Sequence, residues 1–361
     1  MKTKVVLLSL FLVFLSFQYD GECQSQFADS IPSLKDVFKE NFYMGTSISD
    51  EQITSKDTRA LHIILSQFNS VTPENCLKWE TVHPRPGEYD FKQADRFVDF
   101  AERNGKHITG HILLDRVQTP AWVFEDSDGN TVSRDTLLHR IREHITTVVG
   151  RYKGRINVWH VVNEAIGIDG KLRKCKWLDI IGEDYIEKAF EYAHEADPEV
   201  LLYYNGHDML TMEATTSVAE LVKTIKSRGL RIDGIGVQAH WSLDYPSLNQ
   251  IDEGIAMLAK SGLNIALTEM DITVLRDNEN PYPDELPDSV QQKLSERYGD
   301  LFTIFCKHAD VISRINFWGI DDGQSWLNYY PIKGRTDYPL LFDRSYKPKP
   351  AFFSVIKTKC K

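Results

Sequence analysis

The sequence predicts a single (β/α)8 TIM barrel, and two observations carry that prediction. Short β-rich runs alternate with longer amphipathic segments from about residue 41 to the end, with no linker-like or low-complexity stretch between them. Polar and acidic residues gather where those runs finish. Strand and helix in strict alternation imply parallel strands joined by helices, and a barrel of such units carries its chemistry at the C-terminal ends of its strands. A doubly wound open sheet would share the alternation. The first run, however, is not followed by the glycine-rich phosphate fingerprint that would favour that fold.

Taken in order, the β-rich runs are "NFYMGTSI" (41–48), "FNSVTPEN" (68–75), "HITGHILL" (107–114), "NVWHVVNE" (157–164), "VLLYYNG" (200–206), "GIGVQAH" (234–240), "NIALTEMDI" (264–272) and "RINFWGI" (314–320). The intervening segments 51–66, 89–103, 134–152, 180–196, 211–228, 248–261 and 288–308 read as helices, and a last one closes the chain near 348–358. In 134–152 the apolar residues Leu137, Leu138, Ile141, Ile145, Val148 and Val149 recur at helical spacing, and Ser133 is placed to cap the N-terminus.

Composition bounds the function. The 361 residues are 42% hydrophobic and 26% charged, which is ordinary for a soluble globular protein. Their net charge of −10, without any Lys/Arg-rich run, excludes an electrostatic nucleic-acid footprint. Lys2 and Lys4 precede an apolar run from Val5 to Phe17, after which polarity returns at Gln18. That is the pattern of a secretory signal peptide, too short for a membrane span, so residues 1–23 are expected to direct export, with the cleavage point left open, and 30–361 to form the barrel. Cys23, Cys76, Cys175, Cys306 and Cys360 show no C-x-x-C spacing, which argues against structural zinc. Four of them would remain after export, either paired in one of three ways or as free buried thiols.

The polar residues at the strand ends are Glu74, Asn75 and Lys78 (second), His111 and Asp115 (third), Asn163 and Glu164 (fourth) and Asn205 (fifth). Gln238 and His240 (sixth), Glu269 and Asp271 (seventh) and Trp318 (eighth) complete the set. Singly, each has a bland explanation: a carboxylate that caps a helix, a hydrogen-bonded core histidine, a packed tryptophan. Jointly they converge on one pole. Two carboxylates on nearly facing strands suit cleavage of a glycosidic bond, one protonated to donate to the leaving oxygen and one ionised to attack the sugar carbon. A histidine between Glu269 and Asp271 would orient Glu269 and hold it charged, whereas desolvation and the Glu269 charge are expected to raise the pKa of Glu164. The competing reading is a metal-dependent hydrolase using His111, His160 and His240, but the first strand lacks the H-x-H pair such sites use.

Several segments resemble those of glycoside hydrolase family 10, the retaining endo-β-1,4-xylanases. "TPENCLKWE" is similar to its substrate-binding segment, "WHVVNEA" to its acid/base segment and "LTEMDI" to its nucleophile segment. "GIGVQAHW", "FWGIDDGQSWL" and "PLLFDRSYKPKPAF" continue the match to the end of the chain. The resemblance implies a barrel without metal or organic cofactor, with Glu164 as acid/base, Glu269 as nucleophile and Asp271 in support. Glu74, Asn75, Lys78, His111, Asn163, Gln238, His240, Trp318 and Trp326 are then expected to bind the sugars of β-1,4-xylan or xylo-oligosaccharides. A secreted monomer is expected. Activity on another β-1,4-glycan, or binding without turnover, are the alternatives.

Three positions depart from the family pattern. Asp115-Arg116 stands where the family has Trp-His, His160 replaces an aspartate, and His207 replaces a tyrosine on the leaving-group side. Arg116 is expected either to pair with Asp115 at the strand tip or to reach an anionic sugar substituent such as a uronate.

Overall fold

The computed structural model describes residues 31–276 and 279–360. The proposed signal peptide and Cys23 lie outside the described residues. Among the described residues there are nine strands: β1 (Tyr43–Ile48), β2 (Ser70–Pro73), β3 (His107–Gly110), β4 (Val158–Asn163), β5 (Leu201–Gly206), β6 (Gly234–Val237), β7 (His240–Ser242), β8 (Asn264–Thr273) and β9 (Ile312–Phe317). All pairings between them are parallel, and the β6–β8 and β1–β9 ladders close eight strands into a ring, so the barrel predicted from the alternation is the fold. The ninth strand, β7, pairs with the last residues of β8, His240 facing Asp271 across that ladder.

Burial explains why these runs are β-rich along their whole length. Strands β2, β4 and β6 are buried at every position, as parallel strands covered on both faces must be. The helices bury one side only. In Lys92–Arg103 the buried residues are Ala94, Phe97, Val98, Phe100 and Ala101. Ser133 caps Arg134–Arg151 as expected, its side chain accepting from the Thr136 N–H. Two strand glycines make room for aromatic neighbours. A Cβ on Gly110 would lie 2.3 Å from the Trp159 ring, and one on Gly234 would lie 2.2 Å from the Tyr203 ring.

Several sequence boundaries need correction. The predicted helix 51–66 is two, Asp50–Thr54 and Arg59–Gln67, and 180–196 is preceded by Lys176–Ile181 and broken at Gly182, whose φ of 96° an L-residue seldom adopts. The predicted sixth strand 234–240 breaks after Val237, because Ala239 takes a positive φ of 65°. The third strand ends at Gly110 rather than 114, although Leu114 rejoins the ladder as a bridge to Val162. Of the cysteines, Cys306 and Cys360 form a disulfide that ties the end of helix Asp288–Lys307 to the chain after Pro350–Lys357, while Cys76 and Cys175 are free thiols. Among the described residues no helix is long and apolar enough to cross a membrane.

Candidate active site

The C-terminal ends of the strands form one polar pole, and one side of it is built on β8. Period two in a strand puts Glu269 and Asp271 on the same face, and both are buried. His240, delivered by β7, lies between them: Nε2 is 3.3 Å from Glu269 Oε2 and Nδ1 is 3.0 Å from Asp271 Oδ2. Burial alone would strip the imidazole of its proton, but the charges of Asp271 and Glu269 outweigh it and push the His240 pKa up to about 10. Glu269 feels the reciprocal effect. Burial raises its pKa, yet the hydrogen bond to His240 and the 2.8 Å bond from Asn205 Nδ2 bring it below the ordinary carboxylate value. Glu269 is therefore an anion held in a fixed rotamer, as a nucleophile requires. Trp326 secures the far end by donating from Nε1 to Asp271 Oδ2 at 2.7 Å.

Glu164 follows the last residue of β4 with a positive φ of 53°, a backbone state uncommon outside glycine, and Asp208 (φ 51°) and Ala239 share it at the same pole. Both oxygens of Glu164 accept hydrogen bonds. Gln238 Nε2 donates to Oε1 at 3.1 Å, and Arg116 donates to Oε2 from Nε at 3.1 Å and from Nη2 at 2.9 Å. The two carboxylates are joined by amides: Gln238 and Asn205 both donate to Asn163 Oδ1, and each also contacts one of the carboxylates. A wall of side-chain amides thus separates the charges and sets both rotamers.

Next to this pair a pocket of about 220 Å³ is lined by Glu74, Trp318 and Trp326 together with Gln52, Gln324 and Tyr329. Indole faces and amides in one concave space suit a pyranose, whose ring faces are apolar and whose rim is hydroxylated. Burial raises the pKa of Glu74. Lys78 donates to Gln118 Oε1, and Gln118 donates in turn to Glu80 at 2.9 Å and Asn75 at 3.5 Å. His111 lies below, its Nδ1 3.0 Å from His160 Nδ1. Burial lowers the pKa of both histidines far enough to keep them neutral, so the 4.0 Å approach of His111 to Glu269 is not an ion pair.

The tautomers follow from the neighbour beneath. Arg314 Nη2 lies 3.5 Å from His160 Nε2, and a guanidinium can only donate, so Nε2 accepts and the His160 proton sits on Nδ1. That proton points at His111 Nδ1, which leaves the His111 proton on Nε2. Among the described residues no group of three or more His, Cys, Asp or Glu is arranged to hold a metal ion; of the three histidines of the metal reading, His111 and His160 face each other and His240 lies between Glu269 and Asp271.

Over residues 33–358 the chain matches the glycosyl hydrolase family 10 sequence pattern. The chain belongs to that family. It is 40% identical to endo-1,4-beta-xylanase A of Xylanibacter ruminicola, over 91% of this chain and 94% of the relative, and 39% identical to a beta-1,4-xylanase of Dictyoglomus thermophilum, over 97% and 98%. Among solved structures it is similar to a family 10 endoxylanase from a sugarcane soil metagenome, at 42% identity and a TM-score of 0.87, covering 90% of this chain and 98% of the other. A mutant solved with xylotriose is 35% identical, with a TM-score of 0.86, covering 91% of this chain and all of the other.

Within this family 10 barrel, two expectations fail at one place. Arg116 does not pair with Asp115, which is buried and whose Oδ2 accepts from the Gln118 N–H at 3.3 Å; the guanidinium crosses instead to Glu164. Glu164 was expected to have a raised pKa. Burial does push it up, but the Gln238 and Arg116 hydrogen bonds and the Arg116 charge outweigh burial, and the carboxyl sits below its ordinary value. His207 pairs with Asp208 at 2.6 Å, its ring 6.0 Å from that of His240. Sequence reasoning gave no binding role to Gln118, which joins Lys78 to Asn75, and none to Asn205, which joins Glu269 to Asn163. The second was visible as an amide at a strand end; the first lies in a loop without periodicity.

Proposed function

We propose that the protein is an endo-1,4-β-xylanase that cleaves internal β-1,4-xylosidic bonds with retention, using Glu164 and Glu269. The observation that carries this reading is the pair of carboxylates in one cleft, one ionised by a buried imidazolium and the other at its more exposed rim. Family membership and relatives named as xylanases support it.

In the first step a carboxylate oxygen of Glu269 attacks the anomeric carbon, the bond from that carbon to the leaving oxygen breaks, and the proton of Glu164 passes to that oxygen. In the second, Glu164, now ionised, takes a proton from water as the hydroxide oxygen displaces Glu269. Asn163 is placed for the 2-hydroxyl contact that tightens as charge develops on the ring, and His111 offers its Nε2–H. Glu74, Asn75, Lys78, Gln238, His240, Trp318 and Trp326 hold the sugars on the non-reducing side, and Asp271 supports His240. Export as a monomer is part of the proposal, and the Cys306–Cys360 disulfide supports an oxidising destination.

The test is incubation with a panel of β-glycans, reading released oligosaccharides and binding together. Xylan is expected to give short xylo-oligosaccharides, and Glu269→Ala none. Products from a different β-1,4-glycan alone would replace the substrate, and binding without products would replace the enzyme by a binding protein.

A further inference from the structure

We propose that Arg116 is a removable counter-ion of Glu164, a positioning residue that keeps the acid/base carboxylate ionised in the free enzyme and must release it so that Glu164 can take up a proton from solvent before delivering it to the leaving oxygen. The inference rests on the role of Glu164 proposed above, and it deepens that role. Its basis is the inventory of donors around the carboxylate. Arg116 places two N–H groups on Oε2 and Gln238 places one on Oε1. Neither partner atom can accept, so a proton added to either oxygen would face donors only. Every contact is satisfied by the anion, whereas the acid's own proton would find no acceptor among these partners.

The contact is also built to open. Arg116 is about one third exposed and Glu164 about one fifth, and Glu164 is the only residue to which the Arg116 side chain donates a hydrogen bond among those described. A bond between partly exposed charges costs far less to break than a fully buried one, because water or sugar hydroxyls replace it. Other groups do not substitute for it. His207 adds a weaker favourable charge from the loop after β5 but is engaged by Asp208; the Tyr204 hydroxyl donates no bond to Glu164; and Glu269 acts on it only through the amide wall.

The two halves of the reaction need opposite states of Glu164. Glycosylation needs it protonated, deglycosylation needs it ionised, so Arg116 hinders the first and favours the second. The alkaline limb of kcat/KM reports loss of the proton from the acid in the free enzyme. A counter-ion lowers the pH at which that proton leaves, and the limb falls at lower pH with Arg116 than without it. A substrate whose leaving group departs as a stable anion needs no proton and escapes this limb.

The experiment compares wild type, Arg116→Met and Arg116→Lys by pH profiles of kcat/KM on xylopentaose and on a 2,4-dinitrophenyl β-xylobioside. On xylopentaose the alkaline limb is expected to move up by about one pH unit or more in Arg116→Met, and to stay near wild type in Arg116→Lys. On the aryl glycoside the alkaline limbs are expected to coincide. An unmoved limb in Arg116→Met, or an equal movement in Arg116→Lys, overturns the proposal. Should the methionine variant not fold, the wild type answers by carbon NMR titration of labelled glutamate, the Glu164 signal being the one lost in Glu164→Gln. A Glu164 pKa below the ordinary 4.5 supports the counter-ion, and one above it overturns it. That titration needs no turnover, so it stands apart from failure of the xylanase reading, which would show as no product from any glycan.

Discussion

Asp271→Asn removes one charge from the Asp271–His240–Glu269 chain without changing its shape. His240 keeps its proton up to about 10 instead of 6.5, a difference worth roughly 5 kcal/mol at about 1.4 kcal/mol per pH unit. Burial opposes that difference, so Asp271, 3.0 Å away, and Glu269, 3.3 Å away, together supply more than it, and Asp271 accounts for at least about 2–3 kcal/mol. The variant should therefore lose the His240 proton well below pH 10, at least about two units early. Because the folded-state pKa is raised, the associated stability is fully present below about 6.5 and is lost as pH rises through about 10. The gap between wild type and variant should thus be at least about 2–3 kcal/mol at pH 6 and shrink towards pH 10.5. Thermal unfolding followed by circular dichroism at both pH values measures it, and kcat/KM on xylopentaose should fall roughly tenfold to a hundredfold as Glu269 loses its partner. A gap equal at both pH values, or absent at pH 6, would refute the reasoning.

Other perturbations test other links. The Cys306–Cys360 bridge closes a separation of 54 residues, and chain entropy makes it worth roughly 4 kcal/mol, so a reductant should lower the Tm of wild type but not of Cys360→Ser. Gly110→Ala would drive a Cβ to 2.3 Å from the buried Trp159 ring; a loss of about 1–3 kcal/mol in urea unfolding is expected, with reduced turnover because His111 is the next residue. Trp326→Phe keeps an aromatic face but deletes the 2.7 Å donor to Asp271, and should raise KM for xylo-oligosaccharides several-fold while leaving the fold intact by circular dichroism.

Much of the fold was legible because parallel strands buried on both faces must be apolar along their length, and runs such as "NVWHVV" show it directly. What sequence could not mark were the breaks made by single backbone torsions. Ala239 carries no turn chemistry, yet its positive φ divides the sixth strand and turns His240 towards Asp271. In the site, the period-two pair Glu269 and Asp271 was readable from β8 alone, and the imidazole between them followed from its neighbouring strand. Arg116 was not readable in that way. Sequence adjacency suggested Asp115 as its partner, but Asp115 is turned inward to the Gln118 amide, and the guanidinium reaches across 48 residues to Glu164. That reach reverses the expected pKa of Glu164. Burial in "VVNE" and the Glu269 charge were the influences visible in the sequence, and the donors that outweigh burial, Arg116 and Gln238, come from the segments that follow β3 and β6.

The central claim, double displacement by Glu269 and Glu164, is tested most directly by proton NMR of the sugar first released from xylopentaose. The account predicts the β-anomer appearing first, with the α-anomer growing in only at the rate of mutarotation. Initial release of the α-anomer would contradict it, because a single inversion leaves no place for a glycosyl-Glu269 intermediate.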